Sequence, residues 1–162
     1  GVRFSFLHPA AHDLGSENDS SCVLLVHFGD SRALLTGDIE RLGEARLLAR
    51  VGGGTDDGLP VTLMSAPHHG SRTSSGEALL RAFAPAHVVF PAGAGNRYGF
   101  PHESVQMRYK AVGAVTHVTG RDGALRFEFD AAGLVRAPVS WRGAGRRFWH
   151  DLVEPERRSD RP

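Results

Sequence analysis

The 162-residue sequence predicts an α/β fold with helices packed on a mixed sheet. Short apolar runs and amphipathic stripes alternate through its middle, and hairpin patterns stand at both ends. Hydrophobic residues make up 41% of the chain, enough for the core of one compact domain.

Val2 to Leu7 alternates and reads as a first strand. His8 to Asp19 is polar and loop-like. Ser21 to Phe28 is a strand around the run Cys22-Val23-Leu24-Leu25-Val26, with Cys22 read as a small core residue. Gly29-Asp30-Ser31 turns the chain into a return strand over Arg32 to Thr36. Ile39, Leu42, Leu47, Leu48 and Val51 then form a helical stripe, followed by a glycine-rich loop at 52–58. The run 61–65 reads as a buried strand, and a helix follows from about Ser75 to Phe83, with Ser74 or Ser75 as its N-cap. His87 to Phe90 is a strand, Glu103 to Val112 a helix, and Val115 to Val118 a strand. Gly120-Arg121-Asp122-Gly123 reads as a turn, and Ala124 to Phe129 as one alternating strand. Two units are expected: a folded part over 1–138 and a basic, flexible tail over 139–162.

The formal net charge is +1, so gross electrostatics does not announce a nucleic-acid binder. The arginines do cluster near the end, where Arg142, Arg146, Arg147 and Trp149 read as a solvated tail or a nucleic-acid contact. A single cysteine excludes an internal disulfide. No apolar run reaches the ~20 residues that span a bilayer, and no signal peptide is apparent. The chain begins with Gly1 rather than methionine, which fits a piece of something longer.

Three loops that follow predicted strands hold reactive groups. Asp38, after Leu34-Leu35-Thr36-Gly37, either bridges cations or caps the next helix. His68 and His69 would point opposite ways on an extended backbone, one toward a metal or substrate and the other toward a partner or the core. In Gly95-Asn96-Arg97-Tyr98-Gly99-Phe100-Pro101-His102, Asn96 and Arg97 could bind a phosphate oxygen, and His102 opens a helix. Together the three loops would converge at one sheet edge, and nitrogen and oxygen donors without thiolate suit Zn²⁺, Mn²⁺ or similar ions. His8, His12 and Asp13 form a looser group, read as a loop. His27, His87, His117 and His150 have no convergent partners in sequence.

These loops, in this order, resemble the metallo-β-lactamase-like domain of the ComEC competence family, membrane proteins that carry DNA inward in natural transformation. The matching segments are 17–25, 34–40, 67–75 and 96–102, with Arg121-Asp122-Gly123-Ala124-Leu125 similar to a last hairpin. The resemblance runs from about Val2 to Phe129. It implies a partial metallo-β-lactamase-like αββα sandwich, with mixed sheets and helices on the outer faces. It further implies a hydrolase, a nuclease or other phosphodiesterase, with two divalent ions, Zn or Mn. Asp38 and His102 would bind metal, His68 and His69 would be catalytic, and Asn96, Arg97 and Ser71 would bind substrate. The first His-x-His-x-Asp-His motif of that fold does not occur here, so the chain corresponds to the C-terminal part of the domain and should be nearly inactive alone. Phe100 stands where many relatives have another histidine. Implied partners are DNA, an upstream membrane channel of the same protein and other competence proteins. The implied location is the non-cytoplasmic side of the bacterial inner membrane. The alternatives are a free-standing esterase or phosphodiesterase of the same fold, and a catalytically inactive module that guides DNA.

Overall fold

A computed structural model describes residues 1–10, 16–52, 60–134 and 136–145. Its main feature is a six-stranded mixed sheet whose strands lie side by side in sequence order. β1 (Arg3–His8), β2 (Val23–Phe28) and β3 (Ser31–Leu35) form an antiparallel meander. β4 (Leu63–Ser65), β5 (His87–Phe90) and β6 (Val115–Val118) continue from β3 in parallel. Parallel neighbours need crossovers. Three helices supply them: α1 (Arg41–Val51), α2 (Glu77–Phe83) and α3 (Glu103–Ala111). The expected mixed sheet with several helices is therefore present.

Period-two burial separates the two faces of the sheet. Val23, Leu25, Leu34, Met64, Val88 and Phe90 are buried, together with Leu47, Leu79, Leu80, Phe83, Val105 and Tyr109 from the helices. The Phe90 and Tyr109 rings meet edge-on with centroids 5.3 Å apart. Truncating a fully buried phenylalanine such as Phe83 costs about 3–5 kcal/mol in a packed core. The opposite face is apolar but half open. Phe4 pairs with Val26 and Phe6 with Leu24, so all four lie on it. Phe4 and Phe6 are 64% and 71% exposed.

Several boundaries differ from expectation. Cys22 precedes β2 and is exposed, so it is not a core residue. The helix expected from Ser75 starts at Glu77, and neither Ser74 nor Ser75 caps it; the Glu44 carboxylate accepts from the Ser75 and Gly76 N–H groups instead. The 120–123 turn is part of a helical turn, α4 (Thr119–Asp122). The single strand expected over 124–129 is two: β7 (Leu125–Arg126) and β8 (Phe129–Asp130). β8 pairs with β9 (Gly133–Leu134), while β7 pairs with β10 (Val139–Ser140), which leads into a helical turn, α5 (Trp141–Ala144). Regular structure thus continues past residue 138. His12, Asp13, Arg146, Arg147, Trp149, His150, the loop at 53–58 and the remainder of the tail lie outside the described residues.

Candidate functional site

The carboxyl ends of β3, β4 and β5 project the three chemistry-bearing loops toward one edge of the sheet. Backbone bonds lock these loops together. The His68 N–H donates to the Gly37 carbonyl at 3.2 Å, and the His102 N–H donates to the Gly70 carbonyl at 3.1 Å. Asp38, His68, His69 and His102 therefore sit on neighbouring loops, as the strand order predicts.

The double histidine does not lie on extended backbone. His68 and His69 both have positive φ, 46° and 55°, inside the short 3₁₀ segment Pro67–Gly70. Left-handed backbone is costly for residues other than glycine, and its concentration here marks a segment held by its surroundings. Gly70 completes the turn at φ +87°. A Cβ there would lie 2.7 Å from the Phe90 ring and from Pro101. Only glycine lets β5 and the 91–102 loop approach so closely.

Each imidazole faces a carboxylate. The His68 Nδ1 lies 2.9 Å from Glu40 Oε1, and the Thr73 hydroxyl donates to the same oxygen at 2.8 Å. The His69 Nε2 lies 3.4 Å from Asp38 Oδ1, while its Nδ1 is 3.0 Å from the Pro91 carbonyl. A carbonyl oxygen only accepts, so Nδ1 of His69 carries the proton. The other ring nitrogen, Nε2, faces the Asp38 carboxylate. Asp38 does not cap α1. Its own N–H donates to Ser21 Oγ, and the cap comes from Asp19, whose Oδ1 accepts from Glu40 and Gly43 at 2.9 and 2.8 Å. Burial acts to raise the Asp19 pKa, but the two backbone N–H bonds outweigh it and the net shift is downward.

The histidine loop is tied into the core from below. The Glu44 side chain, 3% exposed, accepts from Ser75 and from Gly76 at 2.9 Å. Arg108 donates to the Ser74 carbonyl at 3.0 Å, and Ser74 donates to the Pro67 carbonyl at 2.8 Å. Burial pushes the Glu44 carboxyl up despite these donors. It also pushes the Tyr109 phenol, hydrogen-bonded to Ser75 at 3.2 Å, well above its usual value.

Two expected substrate-binding groups have structural tasks. Ser71 is buried, and its hydroxyl is shared with the Thr73 hydroxyl at 2.9 Å. The Asn96 amide donates to the Gly93 and Phe100 carbonyls at 2.9 and 2.7 Å and accepts from the Phe100 N–H at 3.0 Å. It shapes the loop, and its hydrogen bonds are already made. Arg97 is exposed, 4.8 Å above the Tyr98 ring.

Beside this loop opens a cleft of about 1130 Å³. Its lining includes Asn96, Phe100, Gly120, Arg121, Asp122 and Arg142. A Cβ on Gly120 would fall 2.5 Å from the Ala94 nitrogen, so glycine is what lets α4 meet the 92–94 backbone. Arg121 pairs with Asp122 at 2.8 Å, and Arg142 donates to the Gly120 carbonyl. Burial acts to raise the Asp122 pKa, but Arg121 and the Val118 N–H hold it below the usual value. Sequence reasoning missed Glu40, Glu44, Arg121 and the two rings Tyr98 and Phe100 as parts of this edge. The Asp38-Ile39-Glu40 spacing was the available signal for Glu40.

As a metal centre the described residues are incomplete. Among them no group of three His, Cys, Asp or Glu side chains is placed to hold an ion. Asp38 and His69 offer a pair of donors, whereas zinc takes four. His102 stands as the N-cap residue of α3 with its ring against Phe100, centroids 5.4 Å apart.

No family model matches the chain. Competence protein ComA of Neisseria gonorrhoeae is 37% identical over 134 residues, covering 83% of this chain and 19% of that protein. ComE operon protein 3 of Bacillus subtilis is 29% identical over 128 residues, covering 79% of this chain and 16% of its own length. Recombination protein 2 of Haemophilus influenzae is 34% identical over 129 residues, covering 80% and 16%. None of these bears the name ComEC, so the expected ComEC assignment is corrected to a likeness to proteins under these names. The expected metal-dependent nuclease function is corrected with it. The names of these relatives describe no hydrolase. Over about four-fifths of its length the chain is similar to one stretch of each of these longer proteins, one of them named a competence protein, and it spans less than a fifth of each.

Proposed function

We propose that this chain is a DNA-contacting domain of a longer competence protein, one that holds and guides a DNA strand during uptake together with other competence proteins. The observation that carries this reading is the positive, aromatic end of the sheet edge. Exposed Arg97 and Tyr98 stand next to an open cleft bordered by Arg121 and Arg142. Guanidinium groups suit phosphate oxygens, and an open cleft admits a chain rather than enclosing a small ligand. The names of the similar proteins support the competence setting. No helix among the described residues is long and apolar enough to cross a membrane, so any anchoring in the inner membrane would come from other segments of the longer protein.

The finer architecture, an αββα sandwich of metallo-β-lactamase type, is part of the same proposal. The half-open face with Phe4 and Phe6 is what a second sheet would cover. A hydrophobic dye should bind this chain strongly and bind the longer protein weakly. Binding of divalent ions, zinc or manganese, would need donors beyond Asp38 and His69, supplied by other segments of the longer protein.

The direct test is fluorescence anisotropy of a labelled single-stranded 20-mer. Affinity should fall linearly with log salt. The double variant Arg97→Ala/Arg121→Ala should flatten the slope by about 1.4, at roughly 0.7 per phosphate contact. An unchanged slope would exclude these two guanidinia as the phosphate contacts.

A further inference from the structure

The 97–100 segment carries a feature that phosphate contact does not use. Tyr98 stacks on Phe100 with centroids 5.4 Å apart and planes 20° apart. Phe100 in turn lies 6.4 Å from the His69 ring at 24°. The Arg97 guanidinium covers the Tyr98 ring at 4.8 Å. Four planar groups thus run from solvent to the histidine loop. The outermost ring, Tyr98, is 57% exposed. Burial of its apolar surface does not explain its place, because most of that surface is open. The three Asn96 amide bonds set the loop in advance, so the ladder requires little ordering on binding.

We infer that Tyr98 and Phe100, capped by Arg97, form a stacking platform for the unpaired bases of single-stranded DNA, an inference that rests on the DNA-contacting reading above. An arriving base takes the place over the Tyr98 ring that the Arg97 guanidinium occupies. The displaced guanidinium then pairs with the phosphate of the same nucleotide. The neighbouring phosphates follow the cleft, toward Arg121 and Arg142. Every base has a π-face, so the platform accepts any sequence; duplex DNA, whose bases are already stacked, gains nothing from it. Charge complementarity favours this occupant over an apolar peptide, since three guanidinia border the rings and the cleft against the one carboxylate of Asp122, which Arg121 holds.

The test uses the full 162-residue chain and three labelled 20-mers: oligo-dT, an abasic strand of equal phosphate count, and a duplex. Oligo-dT should bind about tenfold tighter than the abasic strand, within the range of base–aromatic stacking. Tyr98→Ala should remove that difference, and Tyr98→Trp should keep it. Arg97→Ala should flatten the salt slope for oligo-dT by about 0.7, one phosphate contact, while leaving the Tyr98 platform in place. Thermal melting confirms that the variants fold. If wild-type chain binds the abasic strand as tightly as oligo-dT, or Tyr98→Ala binds oligo-dT like wild type, stacking is overturned while the DNA-contacting reading stands. Failure to bind any strand at low salt overturns both.

Discussion

The two central loops at the sheet edge are built in opposite ways. The histidine loop, 66–76, is wired to the core: Glu44, Ser74 and Arg108 anchor it, and its imidazoles are matched one to one with carboxylates. The aromatic loop, 91–102, is tied down at its two ends, by bonds at Pro91, Ala92 and His102, while between them the Asn96 amide shapes a tip that presents its guanidinium and the Tyr98 ring to solvent. A loop whose imidazoles face carboxylates offers no fixed excess of positive charge to a polyanion, whereas an exposed guanidinium does. The difference favours the aromatic loop as the place of the proposed DNA contact and leaves the histidine loop as its rigid floor.

The largest effect that could break this contrast concerns Glu44. Glu44→Ala removes the acceptor for two backbone N–H groups and leaves Arg108 without its carboxylate neighbour. It should lower unfolding free energy by about 3 kcal/mol in urea titration, the range for breaking a buried charged network. A loss under about 1 kcal/mol would mean the histidine loop is not core-anchored. Next, Asp19→Ala uncaps α1 and should cost about 1–2 kcal/mol by the same measurement. By contrast Arg97→Ala in the aromatic loop should change stability by less than about 0.5 kcal/mol, since it is exposed, while still weakening DNA binding.

The smallest effect is a pH dependence remote from both loops. His87 Nδ1 and His117 Nε2 are 3.2 Å apart on the half-open face, and burial holds both pKa values below the usual 6.5. The unfolded chain therefore binds more protons than the folded one as pH falls through that region. The pair's contribution is present above about pH 6.5 and is lost as pH drops toward and through the lowered values. The melting temperature should fall between pH 7 and 5, and His87→Gln/His117→Gln should flatten that fall. An unaltered slope in the double variant would assign the effect elsewhere. Asp19 and Asp122 add no slope there, because they are held below their usual value and their contribution fades only as pH falls beneath it; Glu44, whose carboxyl burial pushes up, works in the opposite sense, gaining stability as pH falls.

Much of the sheet was legible because its strands are short apolar runs bounded by turn residues: His87–Phe90 and Val115–Val118 match their expected limits. The convergence of Asp38, His68, His69 and His102 followed from strand ends alone. Local rules failed where distant residues took over. Ser74 and Ser75 look like N-caps, but α2 starts later, at Glu77, and the N–H groups of Ser75 and Gly76 before it are taken by the Glu44 carboxylate, 31 positions from Ser75. Two adjacent histidines with left-handed backbone cannot be foreseen from local preference, since the fold imposes it. The alternation Leu125-Phe127-Phe129 fits one strand as well as two, and only pairing with different partners separates them. Asn96 and Ser71 looked available for substrate because their hydrogen-bond partners lie in loop backbone and a neighbouring hydroxyl, which no pattern announces.

The central claim, that the aromatic loop and its cleft contact DNA, is tested most directly by the salt dependence of single-strand binding. Wild-type chain should bind a labelled 20-mer at 50 mM salt, with a log–log slope of about −2, and Arg97→Ala/Arg121→Ala should bring that slope close to −0.6. Absence of binding at 50 mM salt, or a slope near zero in the wild type, would contradict it.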